Sequence, residues 1–259
     1  MTDHSAHLTL ELCKDDSGAE SIALLTLNRP DIKNAISDGE VIDAIEQTLA
    51  QVNDRQDIKV AVFTGAGKVF SGGGNIKVMQ QRSGMFAGDA QQLSANYKAF
   101  IQRIPLAFAQ LEIPIIAAVN GPAVGAGNDM VCMCDVAIAS EQATFAESFI
   151  KLGIIPGDGG AWLLPRRIGM QHALEMALTG RTFSADEALR MGLVSRVVPH
   201  AQLLGSALGL ARQMATNDAR CLRETKRLFN AARSQTLEQA LDDAAQIQGQ
   251  LHHAPGFKL

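Results

Sequence analysis

The chain has 259 residues, 47% of them hydrophobic and 19% charged, which is enough apolar side chain for a sizeable core and excludes a disordered or fibrous protein. A formal net charge of -4, with acids and bases mixed along the sequence, offers no basic face for nucleic acid and no polybasic membrane anchor. The segment Met1 to Leu12 lacks the apolar stretch of a signal peptide, and the longest apolar run, Ile113 to Val119, is interrupted by Pro114 and falls far short of the ~20 residues that cross a bilayer. The expected compartment is therefore the cytoplasm.

In chain order, Ile22 to Leu27 is rich in strand-forming residues and ends on the turn signal Asn28-Arg29-Pro30-Asp31. Ser37 stands three residues before Glu40, and Val41, Ile45, Leu49 and Val52 then recur at helical spacing, which predicts a helix over about Asp38 to Asn53 with Ser37 as its cap. Lys59 to Thr64, Ile113 to Val119 and Asp135 to Ala139 read as further strands, the first two running into Gly65-Ala66-Gly67 and Asn120-Gly121-Pro122. Strands separated by helices argue for an α/β fold with a largely parallel sheet. After about Pro165 the glycines thin out, and Gln171 to Leu178, Ser184 to Met191, Leu203 to Ala215 and Leu237 to Gln250 read as helices.

Cys13, Cys132, Cys134 and Cys221 are scattered as buried reduced thiols would be, without the spacing of a disulfide framework. His172, His200, His252 and His253 show no metal-ligand spacing with acids or cysteines, so no metal is expected. Trp162, Leu163 and Leu164 read as core packing.

Two glycine-rich loops carry the functional signal: Phe70-Ser71-Gly72-Gly73-Gly74-Asn75-Ile76, and Asn120 to Asp129, which contains Gly125-Ala126-Gly127. Each follows a strand and leads into a potential helix, where unpaired backbone N–H groups and a partial positive charge suit a developing oxyanion. Taken alone, either cluster would more often be a tight turn. A dinucleotide site is the weaker alternative, because no Gly-x-Gly-x-x-Gly follows an early strand and the phosphate-loop lysine is absent.

Asn28-Arg29-Pro30 with Asn34-Ala35, the Phe70 loop through Lys77, Asn120-Gly121-Pro122-Ala123 with Gly125-Ala126-Gly127, Cys134-Asp135, and Leu152-Gly153-Ile154-Ile155-Pro156-Gly157 together resemble the crotonase family, in family order from about Leu24 to Val198. The resemblance implies a spiral of repeated strand-strand-helix units over residues 1–198 and a C-terminal helical region, 199–259, that assembles a homotrimer or a dimer of trimers. It implies an enoyl-CoA hydratase or isomerase that stabilises a thioester enolate, with acyl-CoA as substrate and no separate cofactor. By the same likeness the oxyanion donors fall on Gly74 and Ala126. The CoA and substrate contacts fall on Ile32, Lys33, Gly72, Asn75 and Ile76, with Arg29 as a further phosphate partner.

This sequence departs from the hydratases it resembles. Of the two glutamates that activate water there, the first falls on Asp129 and the second on Phe149, which lines substrate and cannot carry a proton. Asp158, in Pro156-Gly157-Asp158-Gly159-Gly160, stands where some double-bond isomerases of the family hold an acid, so Asp129 and Asp158 are the expected catalytic pair. The bland reading of Asp158 is a turn residue capping the next helix, and Glu147 is a lesser third candidate. The stretch between Met79 and Gln110 and the chain end are expected to wall the acyl pocket. The end at Leu259 comes earlier than in related proteins. An acyl-CoA-binding protein without catalysis is the alternative function, motivated by Phe149.

Overall fold

A computed structural model describes residues 3–4 and 7–253, with side chains from residue 7 onward. The chain end at Leu259 and the first residues of the N-terminal segment lie outside the described residues.

The elements run β1 (Asp3–His4), β2 (Leu8–Cys13), β3 (Ile22–Leu27), α1 (Gly39–Asp54), β4 (Val60–Gly65), α2 (Ile76–Gln80), α3 (Ala90–Ala99) and α4 (Arg103–Gln110). They continue with β5 (Ile115–Val119), β6 (Ala123–Val124), α5 (Ala126–Met133), β7 (Val136–Ser140), β8 (Thr144–Ala146), α6 (Gly160–Thr179) and β9 (Phe183–Ser184). The chain then forms α7 (Ala185–Met191), β10 (Arg196–Val198), α8 (Leu203–Ala215), α9 (Ala219–Ala231) and α10 (Leu237–His252).

The main sheet has the order β1-β2-β3-β4-β5-β7-β10, antiparallel through β3 and parallel from β3 onward. Its parallel strands are covered on both faces, which is why β3, β4 and β5 read as near-continuous apolar runs rather than alternating ones. Ala23, Leu25, Ala61, Phe63, Ile115 and Ala117 point into the larger core cluster with α1. Ile22, Leu24, Val60, Val62, Ile116 and Ile138 point to the other face and meet Leu203, Ala207, Ala211 and Ala215 of α8. Residues four apart share one side of a helix, so this short-chained ridge lets α8 lie close against the strands.

A second sheet, β6-β8-β9, is extended by a bridge from Ser71 to Ala123. The repeating unit is thus a strand in the main sheet, a short extended segment in the second sheet, and a helix: β4–Ser71–α2, β5–β6–α5 and β7–β8–α6. This is the strand-strand-helix spiral that the sequence led one to expect. The second sheet also gathers both glycine-rich loops and the chain around Glu147 on one side of the molecule.

Several expectations require correction. Asp38, not Ser37, caps α1, accepting from the Glu40 N–H, and the Ser37 hydroxyl instead accepts from the Asn75 N–H at 2.9 Å. The helix expected from Gln171 begins at Gly160, passes through Pro165 and breaks its helical backbone at Gly169. α9, absent from the expected helices, carries five Lys, Arg and Glu residues within ARCLRETKRLFNA and has no fully buried residue, so its apolar side rests on little more than Leu222, which packs on the cluster under α8. Trp162 is 49% exposed rather than core, whereas Leu164 is buried. All four cysteines are free; Cys132 and Cys134 are buried, and desolvation pushes the Cys134 thiol up to about 12. No helix among the described residues is long and apolar enough to cross a membrane.

Candidate active site

The first loop is fixed by its own N–H groups. Gly72 N donates to the Lys33 carbonyl at 2.8 Å, Gly73 N to Ser71 Oγ at 3.2 Å and Asn75 N to Ser37 Oγ at 2.9 Å. Gly74 N–H alone in this run has no acceptor among the described residues, and it is left facing a cavity of about 60 Å³. Buried Asn34 pins the base of the loop, donating to the carbonyls of Ala66 and Val69 while accepting from Arg29 N.

The second loop reaches the same cavity. Val124 N donates to the Ser71 carbonyl and Gly125 N to the Ala146 carbonyl, and Ala126 then opens α5, where a first-turn N–H has no acceptor within its own helix. Gly73 has φ +74°, and a Cβ there would lie 2.4 Å from the Val124 carbonyl oxygen and 3.1 Å from Ala126 N. Only glycine allows this close approach of the two loops, which brings the free N–H groups of Gly74 and Ala126 to one space.

Around that space, Gly72, Ile76 and Phe149 also contribute to the wall. The Phe149 ring lies 3.4 Å from the position a Cβ on Gly125 would take, so it covers the mouth of α5. Met79, Met85, Phe86, Tyr97 and Ile101, within the stretch that the sequence pointed to, supply much of the remaining wall, and Val124, Leu152 and Ile154, outside it, supply more. Ile32 and Lys33 sit in the turn behind Gly72, Lys33 exposed and in the left-handed region at φ 57°. The Asn75 side chain caps α2 by accepting from Lys77 N.

The acids meet deeper in. Asp129 in the first turn of α5, Glu147 just after β8 and Asp158 just before α6 are each no more than 4% exposed. A Cβ on Gly160 would lie 2.3 Å from Asp129 Oδ1, so the start of α6 rests on that carboxyl. Asn128 Nδ2 donates to Glu147 Oε1 at 2.7 Å, but both Asp129 oxygens, Glu147 Oε2 and Asp158 Oδ1 have no N–H or hydroxyl partner. Asp129 is within hydrogen-bonding reach of both other carboxyls, and a carboxyl donates only when protonated.

Burial raises Asp129 well above the carboxylate range, and the charges of Glu147 and Asp158 raise it further. Burial also pushes Glu147 up to about 7, opposed by the hydrogen bond from Asp129, and raises Asp158 with the same opposition. Asp129 is therefore the carboxyl of the three most disposed to hold a proton, in a cluster of like groups that cannot all ionise. Asp158 does not act as a turn cap: the N-cap of α6 is Gly159, which makes no side-chain cap bond. Of the three acids, only Asp158 lines the cavity shared with Gly74 and Ala126.

The structure thus brings Gly74, Ala126, Asp158 and Phe149 to one cavity and sets Asp129 behind Asp158. Sequence reasoning gave too little weight to Glu147, whose offset from the expected position hid the fact that its carboxyl turns back toward Asp129. Tyr97 was named only as part of a stretch; burial and the charge of Asp158 raise its hydroxyl pKa.

Known proteins match this arrangement in sequence and in fold. Residues 17–258 match the family described as enoyl-CoA hydratase/isomerase. A probable enoyl-CoA hydratase of Mycobacterium tuberculosis is 36% identical over 86% of this chain and 82% of its own, and the 1,2-epoxyphenylacetyl-CoA isomerase of Escherichia coli is 36% identical over 86% and 84%. The crystal structure of an enoyl-CoA hydratase from Bacillus anthracis superposes with a TM-score of 0.86 at 29% identity, covering 96% of this chain and 92% of that one. Together with the spiral of strand-strand-helix units, these matches identify the chain as an enzyme of the enoyl-CoA hydratase/isomerase family, within the crotonase superfamily.

Proposed function

We propose that this enzyme moves a double bond along the acyl chain of a CoA thioester, from the 3-enoyl to the 2-enoyl position, with Asp158 as the proton carrier. The observation that carries this reading is the pairing, in one cavity, of Asp158 with two unpartnered N–H groups, while Phe149 stands where a hydratase-like second acid was expected. The Asp158 carboxylate removes a proton from Cα, the electron pair moves onto the thioester oxygen, and the resulting dienolate is held by the N–H groups of Gly74 and Ala126. The carboxylic acid then returns the proton at Cγ, and the carbonyl reforms with the double bond between Cα and Cβ.

Asp129, the most disposed of the three to hold a proton, donates toward Asp158 and so opposes the rise that burial imposes on the Asp158 carboxyl. Glu147 and Asn128 hold Asp129 in place from the other side. The CoA moiety is assigned to the outer side of the first loop, along Ile32, Lys33, Gly72, Asn75 and Ile76. The absorbance change on conversion of 3-hexenoyl-CoA to its conjugated isomer tests the reaction. Hydration of crotonyl-CoA faster than that conversion, and undiminished in Asp158→Asn, would overturn it.

We also infer a homotrimer or a dimer of trimers. Leu174, Leu178, Phe229, Leu237 and Leu241, on α6, α9 and α10, are all exposed, with Phe229 at 77%, a density of apolar surface that favours contact between subunits. A monomer in sedimentation at micromolar concentration would refute the assembly and leave the chemistry untouched.

A further inference from the structure

Beyond Asp158 lies a second, larger cavity of about 540 Å³, and among the described residues Asp158 alone borders both cavities. Near Asp158 its walls are apolar, formed by Pro105, Leu106 and Phe108 of α4 with Met133 and Leu163. Its far side is basic, formed by Arg167, Lys226 and Arg233 around Trp162.

The charges there do not cancel. Lys226 is neutralised by Asp135, its Nζ 2.9 Å from Oδ2. Arg167 directs its guanidinium N–H groups to the backbone carbonyls of Cys132 and Asp135, at 2.9 to 3.2 Å, and meets no carboxylate. Arg166 stacks on the Trp162 ring at 4.0 Å and donates to the Trp162 carbonyl, again without an acid. The guanidinium of Arg233, 5.6 Å from the centre of the same ring, makes no hydrogen bond or ion pair among the described residues. Burial and the charges of Arg167 and Arg166 disfavour its charged form, opposed only in part by the charge of Asp135, which already pairs with Lys226. Two arginines, Arg166 and Arg233, lie over one tryptophan, and neither they nor Arg167 has an ion-pair partner among the described residues, while a guanidinium fork is shaped to receive a carboxylate by two parallel bonds.

We propose that the acyl group handled by this enzyme ends in a carboxylate, which enters the second cavity past Asp158 and is received by Arg233, with Arg167 and Trp162 completing the subsite. The substrate class is then an ω-carboxyacyl-CoA, whose apolar spacer lies along Pro105, Leu106 and Leu163. This rests on the proton-transfer reading for the location of the thioester.

The test compares a 3-enoyl-CoA bearing a terminal carboxylate with its methyl ester, in the native enzyme and in Arg233→Ala and Arg233→Glu. Binding of the saturated analogues and of CoA itself is measured by calorimetry in parallel. The expected ratio of specificity constants, carboxylate over ester, is about 10 to 100 in the native enzyme, the range of one charge-assisted pair. It falls to about one in Arg233→Ala and below one in Arg233→Glu. Equal specificity constants for the two substrates would overturn the proposal while leaving the proton-transfer reading intact. Equal loss of affinity for carboxylate, ester and free CoA in Arg233→Glu would also overturn it, by assigning the arginines to CoA phosphates. A binding preference for the carboxylate in the absence of any turnover would uphold the subsite and sink the proton-transfer reading instead.

Discussion

Replacing Glu147 with Gln isolates the energetic cost of the buried acid cluster. The side chain is 1% exposed, and its Oε1 accepts from Asn128 Nδ2 at 2.7 Å, a bond that the amide oxygen of Gln can retain. Burial raises the Glu147 carboxyl from 4.5 to about 7. Below 4.5 it is neutral whether folded or unfolded, so the native protein loses nothing there. Between 4.5 and 7 the unfolded chain ionises first, and folded stability declines across that window until the loss is complete above 7. At about 1.4 kcal/mol per pKa unit, a shift of roughly 2.5 units amounts to about 3 kcal/mol at pH 8. Glu147→Gln should therefore be nearly neutral at pH 5 and stabilising at pH 8, by roughly 6 to 10 °C in melting temperature for a chain of this size. The Gln Nε2 would moreover offer a donor to Asp129, whose oxygens now have none. Thermal melts of both proteins at half-unit steps from pH 5 to 8 check this. Parallel curves across the range would refute the assignment of a neutralised, buried Glu147.

Ala126→Pro removes the second oxyanion donor at the first helical position, where proline is tolerated, so the fold should persist while turnover drops by about 10² to 10³; near-native kcat in a folded variant would remove this N–H from the mechanism. Asp158→Asn should eliminate isomerisation of 3-hexenoyl-CoA while leaving acyl-CoA binding measurable by calorimetry, and Asp129→Asn should retain part of the rate, since an amide still donates toward Asp158. Gly160→Ala places a methyl 2.3 Å from Asp129 Oδ1 and should cost about 1 to 3 kcal/mol by urea denaturation. An undisturbed urea midpoint would mean that α6 is free to move off the acid cluster.

The elements legible in the sequence were those whose signal is local. β3 matches its expected bounds because a run of apolar residues covered on both faces ends at a strong turn, and α8 matches because its ridge recurs every fourth residue. β6, β8 and β9 are two or three residues long and are defined by their pairing, so no local pattern could announce them. The two loops of the proposed oxyanion hole were visible as glycine clusters, but the reason for Gly73 is the carbonyl of Val124, some fifty positions away. Glu147 was underrated for the same reason. Its relation to Asp129 depends on how β8 returns the chain toward α5, which spacing along the sequence does not encode. The basic cavity was invisible, because Arg233 meets Trp162 only once the chain beyond α9 folds back over α6.

The contrast between the two sides of Asp158 bears on which chemistry the site can perform. A hydration site must hold a water with several polar atoms and deliver its proton, and bound water ordinarily makes about three hydrogen bonds. In the small cavity Phe149, Met79, Phe86 and Ile101 present hydrocarbon, Ser37, Tyr97 and Ser148 border it without supplying a second acid, and the N–H groups of Gly74 and Ala126 are committed, under the proposed mechanism, to the thioester oxygen. Asp129 and Glu147 could in principle add polar atoms, yet neither borders that cavity. Asp129 lies within hydrogen-bonding reach of both Glu147 and Asp158, so under the proposed mechanism the two buried acids act on the protonation of Asp158 rather than on the substrate. A single carboxylate suffices to exchange one proton between two carbons, whereas activating a nucleophilic water and protonating carbon asks for a second acid–base group at the cavity. Placing a glutamate at position 149 supplies that group, so Phe149→Glu should raise crotonyl-CoA hydration relative to 3-hexenoyl-CoA isomerisation. A variant that folds and binds substrate but shows no change in that ratio would mean that the ring at 149 does not decide between the two reactions.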